Sequence, residues 1–151
     1  MPSLTESRVV PYTADFMFAI VADVERYPEF VPWCTSLRVL RREQTGKIEF
    51  LTAETIVGFR NLRERYTSHV RLDPKVHAID VTQIEGVFRQ METHWHFAPM
   101  GASCKLEFSI TFEFKNELLT AVAGRAFGLV VSRMTHAFEE RAKTLSKQLA
   151  Q

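Results

Sequence analysis

His94 and His96 stand two residues apart, with Glu92 two residues before them. On a strand this spacing puts all three on one face, where the two imidazoles could meet a metal ion. No cysteine and no further carboxylate has ligand spacing beside them. The face they share is the polar half of an alternating pattern, so no metal is expected. Cys34, next to Trp33, could serve as a nucleophile, but no base partner is visible for it and packing is the expected role. The sequence has no nucleophile elbow, no phosphate loop and no Cys-x-x-Cys pair. Without an acid–base pair, no catalytic residues, no cofactor and no enzymatic activity are expected. Tyr66 could donate a hydrogen bond to a ligand carbonyl. Arg63 or Arg65 could do so if strand twist turns one inward, as could Arg133, which falls on an apolar helical stripe. A salt bridge or a snorkelling side chain is the other reading of Arg133.

Such groups need elements to position them. A first strand is expected at Thr5 to Val10, ending at Pro11. Thr13 then reads as a helix N-cap, with Asp15 near the positive end of the helix dipole. Phe16, Ile20 and Val24 recur at helical spacing, as do Met17 and Val21. Pro28 and Pro32 interrupt that pattern, which makes Tyr27 to Cys34 an aromatic loop or a short second helix. From Thr35 to Phe114 the chain reads as six strands, with turns at Thr45-Gly46, Gly58 to Asn61, Asp73-Pro74, Glu85-Gly86 and Pro99 to Gly101. Met91, Thr93, Trp95 and Phe97 share one face. So do Cys104, Leu106, Phe108, Ile110, Phe112 and Phe114, in strict alternation with polar residues. After Asn116 a helical pattern runs for about thirty residues and covers that buried face. The expected fold is α+β: a curved seven-stranded antiparallel sheet wrapped around a long C-terminal helix, with two short helices after the first strand. All 151 residues are expected to form one domain.

Composition agrees: 46% of residues are hydrophobic and 25% charged, which excludes a disordered chain. The formal net charge of +1 is smaller than the basic excess usual in dedicated nucleic-acid domains. Seven arginines nevertheless fall between residues 38 and 71. They form a solvated face, or a patch for anionic lipid headgroups or ribosomal RNA. Cys34 and Cys104 are too few for a disulfide scaffold; two reduced thiols are expected, though the spacing leaves one bridge open. The N-terminal residues match neither a signal peptide nor a transit peptide. No apolar run reaches the roughly 18 residues that span a bilayer. The expected location is the cytoplasm, at most peripheral to the inner membrane. Phenylalanine is the outlier, with 12 residues against 3 Tyr and 2 Trp. These rings either fill a solid core or line an apolar cavity.

The run from Ala22 to Cys34, with Tyr27, Pro28, Phe30, Pro32, Trp33 and Cys34 in order, resembles the coenzyme Q-binding family. That family belongs to the START-like, polyketide cyclase-like superfamily, whose architecture is the helix grip. Trp95-His96-Phe97, Cys104 and Phe112 to Asn116 resemble it too, and the likeness covers nearly the whole chain. It implies a bacterial or processed protein that binds ubiquinone or a similar isoprenoid lipid and supports respiratory electron transport. Relatives in the same group are ribosome-association toxins that block subunit joining, which is the alternative. A cyclase or hydrolase comes third.

On that resemblance the ligand-binding candidates on the sheet are Phe50, Tyr66, Trp95, Phe108 and Phe112. The long helix adds Phe127, Val130, Val131 and Met134. Phe30, Trp33 and Phe59 would surround the mouth. Taken singly, each fits an ordinary core position; the resemblance is what favours a cavity. An isoprenoid site is long and apolar, with a few polar groups for the head.

Overall fold

The computed structural model describes residues 3–59 and 62–149; the side chains of Phe59, Leu62, Ala123 and Phe127 lie outside the described set. Strand β1 (Ser3–Val10) leads into helix α1 (Ala14–Ala22) and a 3₁₀ turn (Val24–Glu29). Six strands follow: β2 (Cys34–Thr45), β3 (Ile48–Phe59), β4 (Leu62–Asp73), β5 (Ala78–Gly86), β6 (Phe88–Met100) and β7 (Ser103–Phe114). Helix α2 (Glu117–Leu149) ends the fold. All seven strands form one antiparallel sheet in the order β1-β7-β6-β5-β4-β3-β2.

Local chemistry explains the boundaries. The Thr13 Oγ1 accepts a hydrogen bond from the Phe16 amide at 3.1 Å and caps α1. The helix stops at Ala22, earlier than apolar spacing alone suggests. Val24 therefore opens the 3₁₀ turn, which contains Pro28 and stays buried through Val24. Asn116 caps α2, its side-chain oxygen accepting from the Leu118 and Leu119 amides.

Register shifts interrupt the ladders at Cys34/Ser36, Val39/Arg41, Thr67/Ser68 and Phe88/Gln90. Extra residues of this kind bend a strand and increase its twist, which lets the sheet curve around α2. Gly86 belongs to one of these irregular stretches. Its φ is +141°, and a Cβ there would lie 2.6 Å from the Tyr66 Cα and 2.7 Å from the Arg65 carbonyl oxygen. Both contacts are backbone and cannot swing aside. Gly86→Ala is therefore expected to lower unfolding free energy by about 2–4 kcal/mol, from backbone strain and overpacking together. Urea denaturation reads this directly, and a change near zero would show that β5 can shift away from β4.

The core lies on the inner face of the sheet. Leu51, Val70, Val81 and Thr93 oppose one another across β3 to β6 on the inner face. One residue out of phase, Phe50, Arg71, Asp80 and His94 form a parallel row on the outer face. Phe50 thus points away from the core and is 39% exposed, which corrects its expected place in a cavity wall. Phe50 and Leu51 are adjacent apolar residues, so alternation permits either to face inward. Pairing of Leu51 with Val70 decides it.

Candidate functional site: the cleft between the long helix and the sheet

The aromatic side chains divide into two groups. At one end Phe138 of α2 stands edge-on to Tyr27, Phe30 and Trp95, with ring centroids 5.2, 5.2 and 5.0 Å away. Trp95 in turn lies 4.5 Å from Phe108. Trp95, Phe108, Phe138 and Val131 are all buried in the core, so this end is packed solid. Arg141 locks it from outside, with its guanidinium 4.9 Å from the Phe30 ring centroid and bonded to Glu29 at 2.9 Å. Arg26 and Arg141 hold the Glu29 carboxyl below the usual carboxylate range. The Tyr27 hydroxyl donates to the Val21 carbonyl.

At the other end Tyr66, Phe88, Phe112 and Phe114 form a second group on β4, β6 and β7. Phe88 sits at its centre, 5.3 Å from Tyr66, 6.2 Å from Phe112 and 4.7 Å from Phe114. Tyr66, Phe88 and Phe114 are only half-buried. No full helical cover closes over them, because α2 does not follow the sheet along its whole length. Thr120, near its start, is tied to β7: the Phe114 amide donates to its Oγ1 at 2.9 Å. Val131, Thr135, Phe138 and Ala142 then recur at steps of four, three and four and are buried. Thr120 and Gly124 continue the same stripe backwards. Gly124 is exposed, and a Cβ built there would meet nothing within 4 Å. The helix is thus fastened at Thr120 and again from Val131, and between them it stands clear of the sheet. A bend of 62° separates Glu117–Ala126 from Gly128–Leu149. The glycines Gly124 and Gly128 flank that bend, and glycine weakens a helix interior relative to alanine.

Between the two fastenings of α2 the inner face is therefore incompletely covered, over an aromatic floor with one phenol. Burial pushes the Tyr66 hydroxyl up to about 12, and Thr55 is its side-chain hydrogen-bond partner. The phenol therefore keeps its proton throughout the physiological range and can donate it to a carbonyl oxygen.

The other sequence candidates are distributed as follows. Val130 and Met134 are half-buried on the helix. Phe30 belongs to the packed end. Trp33 adopts φ +66° where the chain enters β2, and its carbonyl accepts the Gly58 amide at 2.8 Å. The candidate side chains of Phe59 and Phe127 lie outside the described residues. Arg63 and Arg65 pair with Gly58 and Ile56, on the outer face, and are exposed. Arg133 is exposed as well. Sequence reasoning missed Phe88 and Phe114 as floor residues. Phe88 follows Gly86 closely, where a shift of register hides the face it occupies; Phe114 was legible as part of the alternating run.

The chemically reactive types are otherwise engaged. His94 lies 2.7 Å from Asp80, and His96 3.6 Å from Glu107, on the outer face. Among the described residues no three His, Cys, Asp or Glu side chains group to hold a metal ion. Cys34 and Cys104 are free thiols, and burial raises Cys34 to about 11, which suppresses the thiolate a nucleophile needs. Of the seven arginines, Arg38 pairs with Glu54, Arg41 with Glu43, Arg42 with Glu25 and Glu49, and Arg71 with Asp73 and Asp80. Arg60 lies outside the described residues. Two grooves occur elsewhere. One of about 270 Å³ runs beside Phe18, Ala22, Leu72 and Pro74; the other, about 440 Å³, lies on the outer face around Phe50, His69 and Arg71.

A curved sheet gripping a long terminal helix, with an apolar cleft left between them, defines a START-like lipid-binding fold. The chain belongs to the polyketide cyclase / dehydrase and lipid transport family, whose model matches residues 10–139. It is 30% identical over 150 residues to the ribosome association toxin RatA of Rickettsia prowazekii, covering 97% of this chain and 100% of that one. It is 38% identical over 144 residues to the mitochondrial coenzyme Q-binding protein COQ10 homolog B of Xenopus laevis, covering 91% of this chain and 57% of that one. The solution structure of an 18 kDa protein from Caulobacter crescentus superposes with a TM-score of 0.82 at 36% identity, covering 97% of this chain and 99% of that one. No single helix among the described residues is long and apolar enough to cross a membrane.

Proposed function

We propose that this chain binds ubiquinone or a related isoprenoid lipid in the cleft beneath Gly124. It would act there as a carrier or chaperone in support of respiratory electron transport, with no chemistry of its own. The observation that carries the reading is the empty space at Gly124, on a helical stripe that touches the sheet on both sides of it. Gly124 is exposed and the space around it is open, and a prenyl tail would occupy that space over the aromatic floor. The half-buried rings of Tyr66, Phe88 and Phe114 supply apolar surface, and the protonated Tyr66 supplies a donor for a quinone carbonyl. The likeness to a coenzyme Q-binding protein supports the same ligand.

A prenyl tail makes no hydrogen bonds, so its affinity comes from area removed from water. Each buried methylene contributes roughly 0.8 kcal/mol before ordering is subtracted, so one five-carbon unit contributes about 3–4 kcal/mol. Affinity is therefore expected to depend on the tail more than on the head. In a fluorescence titration, a ubiquinone with two prenyl units should bind at least about 100-fold more tightly than the tailless quinone. Quinone should also be present, chemically unaltered, in an organic extract of protein purified from its native host. Equal affinities, or no saturable binding, would remove this reading.

The ribosome-directed alternative draws on the near full-length likeness to proteins named as ribosome association toxins. On this chain it would rely on Arg63 and Arg65, which are exposed and make no ion pair among the described residues. Salt-sensitive co-sedimentation with ribosomal subunits supports it, and its absence at low salt removes it.

A further inference from the structure

The side of α2 that faces away from the cleft is built for a different partner. On Glu117–Ala126, Leu118, Val122 and Arg125 fall on the side away from Thr120 and Gly124. On Gly128–Leu149, Leu129 and Arg133 fall opposite Val131 and Thr135, so both segments on either side of the 62° bend turn this set away from the sheet. Leu118 is 71% exposed, Val122 58% and Leu129 56%, and both arginines are exposed. From Leu118 to His136 the chain contains no Asp or Glu, and Arg125 and Arg133 are its only Lys or Arg residues. Neither makes an ion pair among the described residues, in contrast to Arg38, Arg41, Arg42 and Arg71 of the sheet. An apolar stripe carrying unpaired cations and no anions is the charge pattern of a helix that lies in an interface.

We infer that this face of α2 docks on a bilayer containing anionic lipids, with Leu118, Val122 and Leu129 entering the acyl boundary and Arg125 and Arg133 reaching the phosphates. Long arginine stems allow that geometry, because the apolar stem stays among the chains while the guanidinium returns to the surface. A second copy of this chain fits less well. A two-fold contact would bring the same stripe onto itself and set arginine near arginine with no acid between. A nucleic-acid backbone would satisfy the arginines and leave three large apolar side chains facing phosphate and water. Docking is separate from quinone binding, since it uses the opposite side of the helix.

Co-sedimentation with vesicles tests it. The unmodified protein should bind vesicles of phosphatidylcholine containing about one-third phosphatidylglycerol, and bind phosphatidylcholine alone clearly less well. Arg125→Ala and Arg133→Ala should each weaken binding about fivefold and flatten its salt dependence. The pair Val122→Glu with Leu129→Glu should abolish it, while Leu40→Glu, exposed on β2 away from this stripe, should leave it intact. On the unmodified protein, amide exchange across residues 118–133 should slow when anionic vesicles are added. This readout holds even if a variant fails to fold. No vesicle binding by the unmodified protein overturns the inference. So does binding that the glutamate pair leaves unchanged, or self-association that the pair removes without any effect of vesicles.

Discussion

Phe138→Ala is expected to lower the unfolding free energy by about 3–5 kcal/mol, the usual loss when a large buried ring is truncated. The ring is 1% exposed and is the only side chain of α2 that touches Tyr27, Phe30 and Trp95 together among the described ring contacts. Removing it unties the 3₁₀ turn, the helix and the sheet at one point. Against a total stability of about 5–15 kcal/mol for an ordinary domain, that is a large fraction. Urea unfolding should show the shift in midpoint, and the near-ultraviolet dichroism of Trp95 should weaken with it. The comparison is Phe50→Ala, which removes the same ring from the outer face and should lower stability by less than about 1 kcal/mol. Similar losses at the two positions would contradict the inward register of Leu51.

Gly124→Leu should do the opposite to stability while damaging function. A leucine in a helix is favoured over glycine by about 0.8 kcal/mol, and its Cβ meets no neighbour within 4 Å. The melting temperature should therefore rise by about 2–4 °C. The side chain extends into the gap and takes the space of about one prenyl unit. Quinone affinity should then fall roughly 100-fold, the equivalent of the apolar burial of that unit. Calorimetry and titration on the same preparation separate the two effects. A fall in melting temperature would mean that α2 packs on the sheet at this point. A rise with unchanged affinity would place the ligand elsewhere in the molecule, leaving the docking face of α2 untouched.

The two aromatic groups show where sequence reasoning succeeds and where it stops. Residues Cys104 to Phe114 alternate strictly, so the buried face of β7 was readable, including Phe112 and Phe114. Trp95 and Phe108 were placed on the correct inner face for the same reason. Whether they line space or fill it was not readable. Phe138, thirty residues or more away in the chain, settles it by occupying that end. The arginines between residues 38 and 71 read as a candidate patch, yet Glu54 neutralises Arg38 across strands, and Glu49 and Glu25 neutralise Arg42 from β3 and the 3₁₀ turn. Phe50 and Leu51 are adjacent, and only the partner strand chooses between them.

By itself, the sequence determined the order of elements, the capped start of α1, the antiparallel strands and the long closing helix. Alternation, helical spacing, caps and proline breaks act over a few residues, so they are written locally. It also carried the aromatic run from Tyr27 to Cys34 and with it the family. Tertiary structure alone decided which phenylalanines close the core, which charges find partners, and where α2 leaves the sheet. Those outcomes depend on register, on bulges that curve the sheet, and on two fastenings of one helix at Thr120 and Val131 with Gly124 free between them. They arise from distances between segments far apart in the chain, and no local pattern encodes such a distance.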